Sequence, residues 1–283
     1  MKSSGTLYVV ATPIGNLDDA SARSIEVLRG AQLIACEDTR TSAKLLARYG
    51  ISGRTVALHE HNERAATAGL IEELRRGSDV ALVCDAGTPA LSDPGAHFVA
   101  EAYKAGIRVS PVPGPSAAAA AFSAAGFPAA GFLFAGFLPA SGSARTRAIE
   151  ALEVPWPVVL YEAPHRIAKT LAQLAERLGA GREALIGREL TKKFEELVRL
   201  PLGEAGAWLA AGPHRTQGEF VIVLAAGESA GAHAAQAGQL LDLLLAELSP
   251  SDAAKIAARI TGMPKKDLYR KALQHRKVRR GAK

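Results

Sequence analysis

At 283 residues, 48% of them hydrophobic and two of them cysteine, the chain can build more than one sizeable core and is too apolar for extended disorder. No apolar run approaches the roughly 18 residues of a membrane span, the start MKSSGTLYVV has no separate signal region, and seven scattered histidines offer no metal-ligand spacing, so no membrane span, secretion signal or metal centre is expected. The net charge of +6 is uneven: residues 264–283 hold nine bases against one acid, Asp267, which leaves −2 on residues 1–263 and puts the polyanion signal at the C-terminal end.

Short apolar runs alternate with helical periodicities along the first two thirds. Strands are predicted at Leu7–Ala11, Leu33–Cys36, Thr55–Leu58, Val80–Cys84, Arg108–Pro111 and Phe132–Ala135. Between them, helices are predicted at Ser21–Arg29, Ser42–Tyr49, Glu63–Arg76, Gly95–Ala105 and Ser116–Ala125. The alternation predicts a largely parallel α/β sheet. A Gly/Ser-rich break and a helix follow in FLPASGSARTRAIEAL, then a strand at Pro157–Tyr161, a helix at His165–Leu178 and a strand at Glu183–Arg188. Glu195–Leu200 and Gly218–Leu224 lack long helices of their own, which predicts a mixed or antiparallel second sheet. Residues 225–238 are a linker by composition. Three helical patterns close the chain at 239–248, 250–261 and 264–274, the last two opened by a proline. The expected organisation is an α/β domain over 1–125, a second over 126–226, a linker over 227–238 and a basic helical domain over 239–283. Cys36 and Cys84 each close an apolar run and read as buried, reduced thiols, which favours a cytoplasmic setting.

Several strands end in proline-containing turns: ATPIGN (11–16), DAGTPALSDPG (85–95), VPGPS (112–116) and YEAPHR (161–166). Proline fixes its own backbone and restricts the residue before it, and ligands bind at the carboxyl ends of parallel strands. Asp93-Pro94 reads as a helix start with Asp93 as cap, and Ser116 as a cap or a ligand contact. Asp85 comes too early to cap and reads as a ligand group. In CEDTRTS (36–42), Thr39 or Thr41 is the expected cap, leaving Glu37, Asp38 and Arg40 without structural duty. No GxGxxG or GxxxxGK[ST] follows a strand, which argues against a dinucleotide or a P-loop nucleotide. Carboxylates, backbone and small residues suit a neutral or cationic ligand bearing hydroxyls. S-adenosylmethionine meets that description, although composition alone does not single it out.

LYVVATPIGNLDD, ACEDTR, HEHNE, DAGTPALSDPG, VPGPSA, LYEAPHRI, RELTKKFEE and GEFVIVL occur in order, followed by SPSDAAKIAARITGMPKKDLYRKAL. Together they resemble the bacterial small-subunit ribosomal RNA methyltransferase I family, within the tetrapyrrole-methylase superfamily (class III methyltransferases). The resemblance spans nearly the whole chain and implies two α/β domains with S-adenosylmethionine in the cleft between them, in a homodimer. The implied reaction is 2′-O-methylation of a cytidine in 16S rRNA, position 1402 in the standard rRNA count, within the 30S subunit. Carried over by motif, Ile14 and Gly15, Asp85, Ala86, Gly87 and Thr88, and Ser116 and Ala117 would line the donor site, with Tyr161 from the second domain. A ribose hydroxyl needs a base to become a good nucleophile. Glu37 or Glu162 are the candidates for that base, with Arg40, Arg166 and Lys192 orienting phosphate or ribose. Glu162, beside His165 and Arg166, has a rival reading as an ion-pair partner. RNA contacts are expected from the tail and from GSARTR (142–147), through phosphates and shape, since aromatics are scarce at 5%. Rival readings are a tetrapyrrole or protein acceptor on the same fold, or a non-catalytic ribosome-assembly factor.

Overall fold

The structure, a computed structural model, describes residues 4–227, 237–238, 240–246, 248–261 and 263–281. Most of the expected linker, 228–236, lies outside the described residues. Strands β1 (Thr6–Val10), β2 (Leu33–Cys36), β3 (Arg54–Ala57), β4 (Val80–Val83) and β5 (Arg108–Val112) form a parallel sheet in the order β3-β2-β4-β1-β5. β2 and β4 are apolar throughout and wholly buried, as central strands covered on both faces must be. Helices α1 (Ala22–Gly30), α2 (Thr39–Arg48), α3 (Glu63–Arg75) and α4 (Ala96–Lys104) connect the strands. One face packs Leu7, Leu33 and Leu82 against Leu70, Leu74 and Phe98; the other packs Ile34, Ala81 and Val83 against Leu28, Leu45 and Leu46. The chain leaves β1 towards β2 on one side, and passes from β4 to β5 on the other. The carboxyl ends of the adjacent β1 and β4 therefore flank the crevice where strand order reverses.

β6 (Leu133–Phe137), β7 (Val158–Glu162), β8 (Glu183–Arg188), β9 (Glu196–Pro201) and β10 (Phe220–Leu224) form a second, mixed sheet in the order β6-β7-β10-β8-β9. Only β6 and β7 run parallel in it. Helix α5 (Ala117–Ala125) closes the first unit in chain order yet packs on this second sheet. Its Ala118, Ala121 and Ala125 lie beside Val159, Leu185 and Val221, and such small side chains let a helix approach a sheet closely. The opposite face is covered by α6 (Gly142–Glu150), α7 (Ile167–Leu178) and α8 (Ala205–Ala210). α8 has no counterpart in the sequence reading, because six residues are too few to show a helical period.

Helical residues 240–246 (α9), α10 (Pro250–Thr261) and α11 (Lys265–Gly281) bury Leu241, Ala253, Ala254, Ala257, Leu268 and Ala272 in a separate small core. Ser249 starts α10: its hydroxyl accepts from the Asp252 amide (3.2 Å) and donates to the Asp252 carboxylate (2.6 Å).

Candidate active site

Four strand ends are tied into one wall. The Thr12 amide donates to the Gly87 carbonyl (2.8 Å), the Gly87 amide donates back (3.1 Å), and the Thr12 hydroxyl donates to the Cys84 carbonyl (3.1 Å). Gly87 has φ of +90°, a conformation glycine adopts without strain. The Thr88 hydroxyl donates to the Pro115 carbonyl (3.3 Å), and Asp85 accepts from the Asp38 amide (3.1 Å). These bonds lace the ends of β1, β2, β4 and β5 together.

Between this wall and the second sheet lies a cleft of about 430 Å³. From the first unit it is lined by Ile14, Glu37, Asp85, Ala86, Gly87, Thr88, Asp93, Ser116 and Ala117. From the second it is lined by Phe137, Tyr161, Glu162, Leu190, Glu219, Phe220 and Val221. The volume lies in the range of small-molecule sites. Glu37, Asp85 and Asp93 make one wall acidic. Burial, then the charges of Asp93 and Asp85, raise the Glu37 carboxyl above its ordinary value. Burial also raises Asp93, and Asp85 adds to it, against the opposing hydrogen bond from Cys84. Such a wall suits a sulfonium and an ammonium, and the N-terminus of α5 suits a carboxylate. The residues present thus fit S-adenosylmethionine.

The capping expectations need two corrections. Asp93 does not cap α4, whose N-cap is Gly95. Glu63 of α3 does so instead, accepting from the amides of Gly95 (2.9 Å) and His97 (3.0 Å), which leaves Asp93 to the cleft. Neither Thr39 nor Thr41 caps α2. Asp38 does, accepting from the Arg40 amide (2.8 Å), and the helix consequently begins at Thr39 rather than Ser42. The Arg40 side chain holds the Asp38 carboxyl down at about 2. Ser116 does cap α5, accepting from the Ala119 amide (3.5 Å). The Tyr161 hydroxyl accepts from the amide one position nearer the helix start, Ala118 (3.2 Å), and burial raises its pKa.

Four predicted residues stand apart from the cleft lining. Arg40 is 89% exposed and paired with Asp38. Arg166 lies behind the wall, its guanidinium on Glu162 (2.9 Å) and on the Leu138 carbonyl (2.5 Å). Gly15 and Lys192 meet at the outer rim, where a Cβ on Gly15 would lie 2.4 Å from Lys192 Cγ. Lys192 Nζ contacts Glu189 and Glu219, each at 2.9 Å. Burial opposes its charge, but the two carboxylates outweigh burial and raise its pKa.

Glu162 reaches the cleft with its side chain wholly buried. Its carboxylate takes Arg166, Arg145 (3.7 Å) and the Thr170 hydroxyl (2.5 Å). Arg145 also donates to Thr170 (2.5 Å), Gln173 (2.7 Å) and the Pro139 carbonyl (2.9 Å). Arg145 is therefore lost to RNA, contrary to the reading of GSARTR, while Arg147 is exposed.

The loops at the mouth hold left-handed backbone at Ala90, Ser92, Glu189 and Thr191, none of them glycine. Each such residue costs about 1–3 kcal/mol and persists only where its surroundings enforce it. The sequence reading missed Asp93, Phe137, Leu190, Glu219, Phe220 and Val221 as cleft residues. Asp93 was hidden by a plausible helix start. Phe137, Phe220 and Val221 sit within apolar runs, where periodicity shows burial and not which face meets a cleft; Leu190 lies just after β8 and Glu219 just before β10, where the residue pattern marks no cleft.

The family pattern described as Tetrapyrrole (Corrin/Porphyrin) Methylases matches residues 6–206, and one described as RsmI C-terminal HTH domain matches residues 231–276. Among solved structures, diphthine synthase superposes with a TM-score of 0.59 at 16% identity, covering 78% of this chain and 90% of that one. A uroporphyrin-III C-methyltransferase from Thermus thermophilus, complexed with S-adenosyl homocysteine, superposes with a TM-score of 0.54 at 18% identity, covering 77% and 97%. Proteins named ribosomal RNA small subunit methyltransferase I are more similar in sequence. That of Pseudomonas aeruginosa is 49% identical over 96% of this chain and 98% of its own length. That of Escherichia coli O157:H7 is 44% identical over 96% of each. With its tetrapyrrole-methylase fold and its matched C-terminal domain, the chain belongs to the ribosomal RNA small subunit methyltransferase I family.

Proposed function

We propose that the chain transfers the methyl group of S-adenosylmethionine to the ribose 2′-hydroxyl of a cytidine in 16S rRNA. One combination carries the reading: an acidic-walled donor cleft and a basic helix-turn-helix appendage on a chain 49% identical to a relative named for ribosomal RNA methylation. When bound, the donor supplies an activated methyl carbon on its sulfonium. The chain's main task is placement, and holding the 2′-oxygen in line is worth about 7–11 kcal/mol of the barrier. Ile14, Asp85, Ala86, Gly87, Thr88, Ser116, Ala117 and Tyr161 would hold the donor, with Gly15 supporting the loop from the rim. Glu37 would take the hydroxyl proton as the O–C bond forms and the C–S bond breaks, a contribution of roughly 10²–10⁴-fold. Glu162 is the weaker candidate, because Arg145, Arg166 and Thr170 occupy its oxygens. Its proposed duty, with Arg166, is to brace the wall, as Lys192 braces the rim. Arg40, exposed beside the Glu37 strand end, is the proposed phosphate contact.

The assembled 30S subunit as acceptor, a homodimer and a cytoplasmic setting belong to the same proposal. Two buried free thiols suit a reducing compartment. No helix among the described residues is long and apolar enough to cross a membrane.

The test is methyl transfer from labelled S-adenosylmethionine to unmodified 30S subunits, with nucleoside mass analysis of the digested rRNA. New 2′-O-methylcytidine is the expected product. Transfer to a tetrapyrrole or a protein instead would reassign the acceptor, and donor binding without any transfer would favour an assembly factor.

A further inference from the structure

The ring of Phe137 is 55% exposed although it lines the cleft. An apolar ring left in water at a ligand site invites explanation. Its direction is set by an irregularity: β6 and β7 shift register between Phe134 and Gly136, so Phe134 pairs with Val159 and Phe137 with Tyr161. Residues three apart on a regular strand face opposite ways. Here the extra residue, Ala135, brings Phe134 and Phe137 to the same face, and both rings meet Tyr161 edge-on at 5.0 and 5.6 Å. Bulges beside active sites commonly re-aim a side chain in this way. Gly136 makes the bulge with φ of +60°, and a Cβ there would lie 3.0 Å from the Ser92 hydroxyl. The next two carbonyls, Leu138 and Pro139, are held by Arg166 and Arg145 from the buried Glu162 cluster. Tyr161 is itself anchored on the Ala118 amide. The ring is therefore aimed, held from behind, and left open on its outer face.

We infer that Phe137 is the platform on which the base of the acceptor nucleotide stacks. The inference rests on the RNA-methylation reading above. A 2′-hydroxyl is displayed on the minor groove of an RNA helix, but carrying it into a cleft between two sheets is easiest when its nucleotide leaves the stack, which costs unstacking energy. A held aromatic ring beside the donor returns much of that cost, because stacking on a ring tolerates any base. Position favours the acceptor over the donor's adenine. Phe137 is exposed, as are Leu91 and Ser92 of the facing loop, whereas Ile14 and Gly87 in the same lining are buried.

The experiment uses the full chain with Phe137→Ala, Phe137→Leu and Phe137→Trp, unmodified 30S subunits for transfer, and calorimetry for S-adenosylmethionine. Loss of one base–aromatic stack predicts a fall in kcat/KM for 30S subunits of about 5- to 150-fold in the Ala and Leu variants. The Trp variant should stay within about threefold of wild type, and donor Kd within about twofold in all three. Wild-type rates in the Leu variant would reduce the ring to apolar packing and overturn the inference. A donor Kd that rises in step with the loss of transfer would assign the ring to adenine and overturn it equally. Absence of transfer by the wild-type chain would instead remove the parent reading, and the stack with it.

Discussion

Glu37 and Glu162 are both glutamates at strand ends in the cleft wall, and their surroundings give them opposite uses. Glu37 has a carboxylate with no ion-pair partner among the described residues, raised by burial and by Asp93 and Asp85. Because the folded state favours its protonated form, its contribution to stability is full below the ordinary glutamate value of about 4.3 and is lost as pH rises through the raised value. At neutral pH the charge therefore opposes folding. Glu37→Gln should raise Tm at pH 7, with the gain fading below about pH 4. It should also lower kcat by roughly 10²–10⁴-fold with donor affinity retained. In the wild type, kcat/KM should climb with pH through a midpoint above the ordinary glutamate value, and the Gln variant should lack that limb. Paired melting and rate profiles check both. Unchanged turnover in the variant would remove Glu37 as the base. Glu37 was legible as a candidate because CEDTR ends a strand in charge. The raised pKa was not, since its causes are burial in the folded wall and then two carboxylates about 50 residues further along the chain.

At the scale of elements, the Glu162 cluster joins β7, α6, α7 and the segment after β6. Removing one partner of a buried pair strands the other charges, which costs about 3–5 kcal/mol. Glu162→Ala should thus lower Tm by roughly 10 °C, as a melting curve would show. Any activity lost at permissive temperature should follow the folded fraction. A Tm equal to wild type would contradict the structural role. The sequence offered this cluster only in part. YEAPHR suggested an i,i+4 pair between Glu162 and Arg166, but Arg145 arrives from another helix 17 residues earlier. Every expected strand is present with ends within two residues, because alternating apolar runs report their own burial. Helix caps fared worse at α2 and α4, and the start of α2 moved with its cap. A cap depends on which acceptor reaches the free amides, and for α4 that acceptor comes from α3.

For the whole molecule, charge and chemistry occupy different places. The cleft wall is acidic, and the exposed bases Lys265, Lys266, Arg270 and Lys271 lie on α11 in a core of its own. The remaining expected bases, from Arg276 onward, lie outside the described side chains. Each phosphate contact contributes roughly 0.7–0.9 to the slope of log K against log salt. Deleting residues 264–283 should weaken binding to RNA and flatten that slope by about 2 to 4 units, with donor affinity unchanged. Binding isotherms across a salt series measure it, and an unaltered slope would place the RNA contacts elsewhere. The two-sheet architecture was legible because long helices disappear between the last strands of the second unit, where only the short α8 intervenes. That α5 packs on the second sheet was not, since an alanine-rich helix carries no mark of which surface it will meet.

Cys36 and Cys84 close β2 and β4 directly beneath the acidic wall, both buried, with burial raising both thiols above their ordinary values. Alkylating reagents act on the exposed thiolate, so neither sulfur can react until the ends of those strands part. The native chain thus carries its own reporter behind the cleft wall. Its labelling rate counts how often that wall opens, and a ligand that clamps the strand ends must slow the count.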